Sequence, residues 1–235
     1  MTLYTPKWPH SEIQQIFDNI YYVTGTNCIQ HEGVILQHSR NMIIIRDGHE
    51  LSLINTVRLN DTGLTELSRL GEIKNIIRLG SFHGRDDAFY TETFTAKLWE
   101  LANMPHTDGK KADFILSSDG KMPFKNCKFY DLQSTQFPEG ILHLQQEGGI
   151  LITCDSIKNW LEADSFFSES TAKAYLEQQM FGPATISNIW RQATQVKNQE
   201  LKDLQKLQFR HLLSAHGKPL LNDAYKHLLA TLATL

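Results

Sequence analysis

The chain has few features that set an extreme class. Three cysteines in 235 residues, Cys28, Cys127 and Cys154, are odd in number and far apart. They exclude both a disulfide framework and a paired CxxC metal knuckle, so reduced thiols are expected. No hydrophobic run approaches the length that spans a bilayer, and Met1-Thr2-Leu3-Tyr4-Thr5-Pro6-Lys7-Trp8-Pro9 lacks the apolar stretch of a secretory signal. A cytoplasmic protein without a membrane partner is the expectation. Basic excess is absent too: the formal charge is -3 and the pI near 6.4, which leaves nothing to neutralise a phosphate backbone and disfavours nucleic acid. No Pro/Gly/Ser-rich linker or repeat divides the sequence, and one domain spanning 1–235 is predicted, with a helical insertion at about 157–206. Nucleophile-elbow, P-loop and dinucleotide-binding glycine motifs are all missing.

What is present is a series of short apolar runs punctuated by turn residues. Asp47-Gly48 separates Met42-Ile43-Ile44-Ile45 from Leu51-Ser52-Leu53-Ile54, and Asp119-Gly120 follows Phe114-Ile115-Leu116. Both read as hairpins, because these turn residues tolerate positive φ. Glu147-Gly148-Gly149, between Ile141-Leu142-His143-Leu144 and Ile150-Leu151-Ile152-Thr153, predicts a third. With runs at 20–23, 76–79, 127–130 and 209–213, about nine strands are expected. Helical spacing appears around Leu64, Leu67 and Leu70, from Ala88 to Leu101, from Ser170 to Met180, from Ile186 to Leu204, and from Leu221 to Leu232. Hairpins followed by helices in each half predict an α+β fold: a four-layer αββα sandwich of two mixed sheets flanked by helices. The long helix over 186–204 offers a surface for a homodimer.

Chemistry is concentrated at three places where an apolar strand runs into a polar break. They are Ile76–Leu79 followed by Gly80-Ser81-Phe82-His83-Gly84-Arg85-Asp86-Asp87, Ile150–Thr153 followed by Cys154-Asp155, and Leu212-Leu213-Ser214-Ala215 followed by His216-Gly217. Each has a plain reading. Asp86 or Asp87 caps a helix starting near Ala88, Asp155 turns the chain, His216 is a hydrogen-bonded histidine and Cys154 is a buried thiol. The functional reading is that the three strand ends project ligands toward one point. The large aromatics Trp160, Phe166, Phe167, Phe181 and Trp190 are read as core rather than substrate cage. His143 and His211 are read as strand residues, not ligands.

The order of these landmarks resembles that of metallo-β-lactamase-like proteins. These carry HxHxDH after a strand, a later His-Thr-Pro-Gly-type loop, an Asp at the end of a glycine-turn hairpin, and a terminal His-Gly. Glu147 to Asp155 and Ala215 to Pro219 resemble the last two, and Leu53-Ile54-Asn55-Thr56 an early Leu-Ile-Asp-Thr strand. The ligand motif is degenerate. Aligned without gaps, His83 takes the second histidine, Ser81 the first, Arg85 the Asp and Asp86 the last; one inserted residue pairs Asp86 and Asp87 with the Asp-His couple instead. Gln136 falls near the histidine of the second loop, with Pro138 in place. The resemblance implies a metal site of His83, Asp86, Asp87, Asp155 and His216, with Asp86, Asp87 and Asp155 as catalytic carboxylates. It holds at most one divalent ion, zinc, manganese or iron, or none if Arg85 pairs with Asp155 or Asp86 in its place. Two functions follow: a metal-dependent hydrolase of a small ester-like or phosphoester substrate, or a non-catalytic binding or regulatory protein that retains the fold.

Overall fold

A computed structural model describes residues 4–31, 33–106 and 111–235. The polar first half of the chain is dominated by one long antiparallel hairpin. Its strands, β2 (Ile20–His31) and β3 (Val34–Asp47), stay in register from Ile20↔Ile45 to His31↔Val34. The predicted Asp47-Gly48 turn, with Gly48 at φ 62°, returns β3 to β4 (Glu50–Ile54). β1 (Gln14–Phe17) adds to β2 on the outer side. α1 (Asp61–Leu70), capped by the Asn60 side chain on the Gly63 amide at 2.9 Å, crosses to β5 (Glu72–Arg78), which lies parallel to β4. α2 (Asp87–Phe94), β6 (Lys97–Glu100) and β7 (Phe114–Ile115) complete a mixed seven-stranded sheet in sequential order.

The second sheet runs β11-β10-β9-β8, from β8 (Cys127–Asp131), β9 (Gly140–Leu144), β10 (Ile150–Thr153) and β11 (His211–Ser214). β9 and β10 form the predicted hairpin, turned by Gly148 and Gly149 at φ 79° and 98°; β11 joins β10 in parallel. Period-two alternation gives each sheet two buried faces. Ile20, Tyr22, Ile43, Ile45, Ile54 and Ile77 meet Leu142, Leu144, Ile150, Ile152 and Leu213 between the sheets. Val23, Met42, Ile44, Leu53 and Ile76 pack outward with Leu67, Phe89 and Tyr90 of α1 and α2. On the far side Ile141, Leu151 and Leu212 carry Trp190, Leu201 and Leu228, from α4 (Asn188–Thr194), α5 (Asn198–Asp203) and α6 (Ala224–Leu232). The layers are helix, sheet, sheet, helix, as the order of elements predicts. α3 (Glu169–Glu177) packs on β3. No helix among the described residues is long and apolar enough to cross a membrane.

Three local expectations are corrected. The helix expected over Ala88–Leu101 stops at Phe94: Thr95 is left-handed at φ 54°, and the next residues pair with the open edge of β5, burying Leu98 and Trp99 on opposite faces. The continuous helix expected over Ile186–Leu204 breaks at Gln195, φ 56°, into α4 and α5. The break brings Trp190 and Leu201 into one apolar layer and removes the long helical face proposed for a dimer. Asp119-Gly120 does not close a hairpin; Gly120 makes a local turn onto the Ser117 carbonyl at 3.0 Å, and the chain moves to the other sheet. β1 and the outer half of the β2–β3 hairpin went unpredicted because Thr24–His31 is mostly polar, so no apolar run marks it.

The parallel register Thr153↔Ser214 ends β10 and β11 side by side, so Asp155 and His216 leave neighbouring strand ends. Asn41 of β3 stitches this edge to the first sheet, donating its amide to the Ser214 and Gly217 carbonyls at 2.9 and 2.8 Å. Gly217 itself is left-handed at φ 87°, and a Cβ there would lie 2.0 Å from the Asn159 carbonyl carbon. Backbone cannot yield as a side chain does, so Gly217→Ala is expected to cost at least about 2 kcal/mol, measured by urea denaturation against wild type.

Candidate metal centre

The loop after β5 owes its shape to Arg78. This buried guanidinium donates to the carbonyls of Gly80 at 3.3 Å, Ser81 at 2.7 Å and Pro105 at 2.9 Å. Gly84, left-handed at φ 105°, leaves room for it: a Cβ there would sit 2.6 Å from the Arg78 Nε. The loop thereby turns His83 onto the ends of β10 and β11. Nε2 of His83 lies 3.2 Å from Nε2 of His216 and 3.5 Å from Oδ2 of Asp155. Nε2 of His216 lies 3.1 Å from Oδ1 of Asp155. The side chains are closed off, with 6% of His83, 10% of Asp155 and 3% of His216 exposed.

The hydrogen bonds decide what these atoms present to one another. Nδ1 of His216 meets the Ser39 carbonyl at 3.2 Å while its Nε2 meets Oδ1 of Asp155 at 3.1 Å; both partners only accept, so a neutral ring with its single proton satisfies one of them and leaves a lone pair toward the other. Nε2 also faces the second imidazole. Nδ1 of His83 is buried with no partner. Burial, the largest influence, holds His83 well below its usual value, with Asp155 opposing, and it lowers His216 likewise. Both rings are neutral near pH 7. For Asp155 burial pushes upward, but the Lys158 ammonium, then His83 and His216, outweigh it and hold the carboxyl well below the usual range. Nζ of Lys158 is 3.2 Å from Oδ1 of Asp155 and 5.3 Å from the Trp160 ring centroid.

Bonds of about 2.0–2.1 Å to a tetrahedral ion place neighbouring donors roughly 3.3 Å apart. The two ring nitrogens, 3.2 Å apart, have that spacing, and each has a different Asp155 oxygen at a similar distance, Oδ1 3.1 Å from His216 and Oδ2 3.5 Å from His83. Cys154 adds a further donor: His83, Cys154 and Asp155 offer ligand atoms within 4.8 Å of one another. Burial and the Asp155 carboxylate raise the Cys154 thiol well above its ordinary value, so it is protonated as it stands. The donor set fits one ion. Among the described residues no second group of three or more His, Cys, Asp or Glu side chains converges in this way.

The structure brings together three of the five ligands expected from the sequence and not the other two. Asp86 occupies the N-cap position of α2 without capping it. Its oxygens instead take the Arg58 amide at 2.9 Å and the Thr5 hydroxyl, and Arg40 lies 3.4 Å away. Asp87 accepts from the Thr56 hydroxyl at 2.5 Å. The cations expected to replace an ion are present, but they are Arg40 and Lys158; Arg85 is exposed. Ser81 spends its hydroxyl on the Pro138 carbonyl at 2.8 Å, and Gln136 is exposed. Sequence reasoning missed Lys158, Arg40 and His38. Lys158 stands one turn after Asp155 and was legible by spacing; Arg40 opens the apolar run of β3, where a charge is out of place unless paired. His38 packs 5.5 Å from His216, ring to ring, and burial lowers it to about 3. Trp160 lies 4.5 Å from His216 and packs with Phe167 and Tyr175, consistent with core; Trp190 belongs to the other outer layer.

No family model and no curated protein matches this chain. Solved structures do. A structure of VMB-1 superposes with a TM-score of 0.64 at 13% identity, covering 98% of both chains, and the metallo-β-lactamases that follow do likewise. DIM-1 gives 0.63 at 12% identity over 97% of this chain and 99% of that one. FIM-1 from Pseudomonas aeruginosa, in its mono-zinc form, gives 0.62 at 11% identity over 97% and 96%. Likeness over nearly the whole length of each chain, with two mixed sheets between helical layers, establishes that this protein has the metallo-β-lactamase fold.

Proposed function

We propose that the protein is a metal-dependent hydrolase with a single ion held by His83, Asp155 and His216, acting on a small ester-like or phosphoester substrate. The observation that carries this reading is the convergence of His83, Asp155 and His216, whose ring nitrogens and carboxylate oxygens lie 3.1 to 3.5 Å from one another. A divalent cation there supplies Lewis-acid polarisation of a carbonyl or phosphoryl oxygen and makes water a stronger nucleophile at neutral pH. The residues of the chain provide the rest. Asp155 contributes the negative charge, Ser39 orients His216, and the Lys158 ammonium offers positive charge to a substrate anion. With Asp86 and Asp87 engaged elsewhere, two imidazoles, one carboxylate and a thiol favour zinc or iron over manganese.

A second reading, a binding or regulatory protein that keeps the fold without hydrolysis, is supported by the ion pairs. Lys158 at 3.2 Å from Asp155 and Arg40 at 3.4 Å from Asp86 supply internally the charge that metal ions would bring.

Elemental analysis of purified protein separates the two. The hydrolase reading expects about one ion per chain, with Asp155→Ala and His216→Ala each losing it and lowering esterase or phosphodiesterase turnover at least about ten-fold; stoichiometric absence of metal in wild type overturns it. Lys158→Met sharpens the comparison. Removing a competing cation should tighten metal binding in the first case, whereas in the second it strands a buried carboxylate and costs about 3 kcal/mol in thermal or urea unfolding. The pH dependence has a definite sign. Two exposed histidines near 6.5 would lose roughly fifteen-fold in metal affinity between pH 7.5 and 6, through protonation. His83 and His216 are held lower by burial, so a smaller loss than that is expected by competition titration.

A further inference from the structure

Glu139 is 1% exposed and, among the described residues, has no ion-pair partner. It precedes β9 in the loop where the sequence shows Gln136 and Pro138. Its carboxylate accepts two donors: the backbone amide of Ser156, the residue after Asp155, and the Trp190 indole at 3.0 Å. Burial and the neighbouring Asp155 charge push it up to about 8. An ionisable group in so unfavourable a place needs a reason beyond filling space, since an apolar side chain would fill it at lower cost.

The backbone on either side of Glu139 grips the other side of the site. Glu139 bridges Gly80, three residues before His83, and the Gly140 amide donates to the Leu79 carbonyl at 2.8 Å. The Ser81 amide reaches the Pro138 carbonyl at 3.1 Å. Contact is tight enough that a Cβ on Gly80 would sit 2.6 Å from the Cys154 sulfur and 3.4 Å from a Glu139 carboxylate oxygen. Glu139 therefore sits opposite Gly80 between two main-chain bonds, from Pro138 and Gly140, to the loop that carries His83, while its side chain is bonded to the turn that carries Asp155.

We propose that Glu139 is a positioning residue: its bond to the Ser156 amide, made from the strand start that anchors the Gly80 loop, sets the separation between Asp155 and His83. The metal consequence rests on the hydrolase reading; the geometric consequence does not. Trp190 holds the second carboxylate oxygen and so fixes the rotation of the group toward Ser156.

The experiment uses wild-type protein, Glu139→Met, which keeps volume and loses the acceptor, and the double variant Glu139→Gln with Trp190→Phe. In the double variant the amide oxygen still accepts from Ser156 and no indole opposes the amide nitrogen. Nitrogen-15 spectra of the histidine rings report the tautomers of His83 and His216 without any metal, and zinc affinity is titrated in parallel. The expected result is altered His83 and His216 ring signals in Glu139→Met, with zinc affinity down about ten-fold or more, and both restored in the double variant to the level of Trp190→Phe alone. Unchanged ring signals and affinity within two-fold in folded Glu139→Met overturn the proposal, as does failure of the double variant to restore them. If Glu139→Met does not fold, Glu139→Asp, one methylene shorter and unable to reach Ser156 without shifting the turn, gives the same comparison. Wild type that takes up no zinc defeats the hydrolase reading, while the ring signals still decide Glu139.

Discussion

The structure turns on the burial of one charge, the carboxylate of Asp155 at the end of β10. Taking an isolated carboxylate out of water costs several kcal/mol even after relaxation, and Asp155 is kept ionised in a closed site. Every neighbour is arranged around that cost. Lys158 brings an ammonium, His83 and His216 bring polarisable rings, and the Asn41 stitch between the sheets holds Ser214 and Gly217, on either side of His216. Glycine at 217 lets the chain pass against Asn159 while His216 stays aimed at the carboxylate.

The loop after β5 settles its acids differently. Asp86 is neutralised by Arg40 and a backbone amide, and Asp87 keeps a hydroxyl donor, with burial raising it above its usual range. These two carboxylates are spent on joining β3, the segment after β4 and the N-terminal residues to α2. Asp155 alone of the three faces two neutral imidazoles, which is why the capacity for a cation survives at one edge of the loop and not along it.

Much of the fold was legible because apolar runs and Asp-Gly or Gly-Gly turns coincide at β3–β4 and β9–β10, where local and global preferences agree. It was not legible at Lys97–Glu100, where a segment with helical spacing takes the open edge of β5, nor in Thr24–His31, whose pairing is set by its partner strand rather than by its own polarity. The site divides in the same way. Asp155 and His216 follow the paired strands β10 and β11 and His83 follows β5 of the other sheet; the polar break after each apolar strand marks all three positions in the sequence. Asp86 and Asp87 turn to other partners, because sequence adjacency to His83 says nothing of where a loop turns each side chain, and Arg40 comes from a strand far along the chain. Glu139 escaped because nothing in a single buried carboxylate marks it until its two donors are seen.

Whether the site holds an ion or a salt bridge is a contest between two cations for one carboxylate. Lys158 is covalently present and gains attraction to Asp155 in a poorly solvated site, but it reaches only Oδ1, at 3.2 Å, the oxygen that His216 also faces. An ion held by His83, Asp155 and His216 engages all three donors at once. It shares Oδ1 with the ammonium or takes Oδ2, which faces His83. The ammonium then becomes a neighbour of like charge that weakens the ion without barring it. On the hydrolase reading this gives a single, weakened cation site, and among the described residues a second ion has no comparable set of donors: Ser81 is bonded to Pro138, the Gln136 side chain is exposed, and Asp86 and Asp87 already have partners.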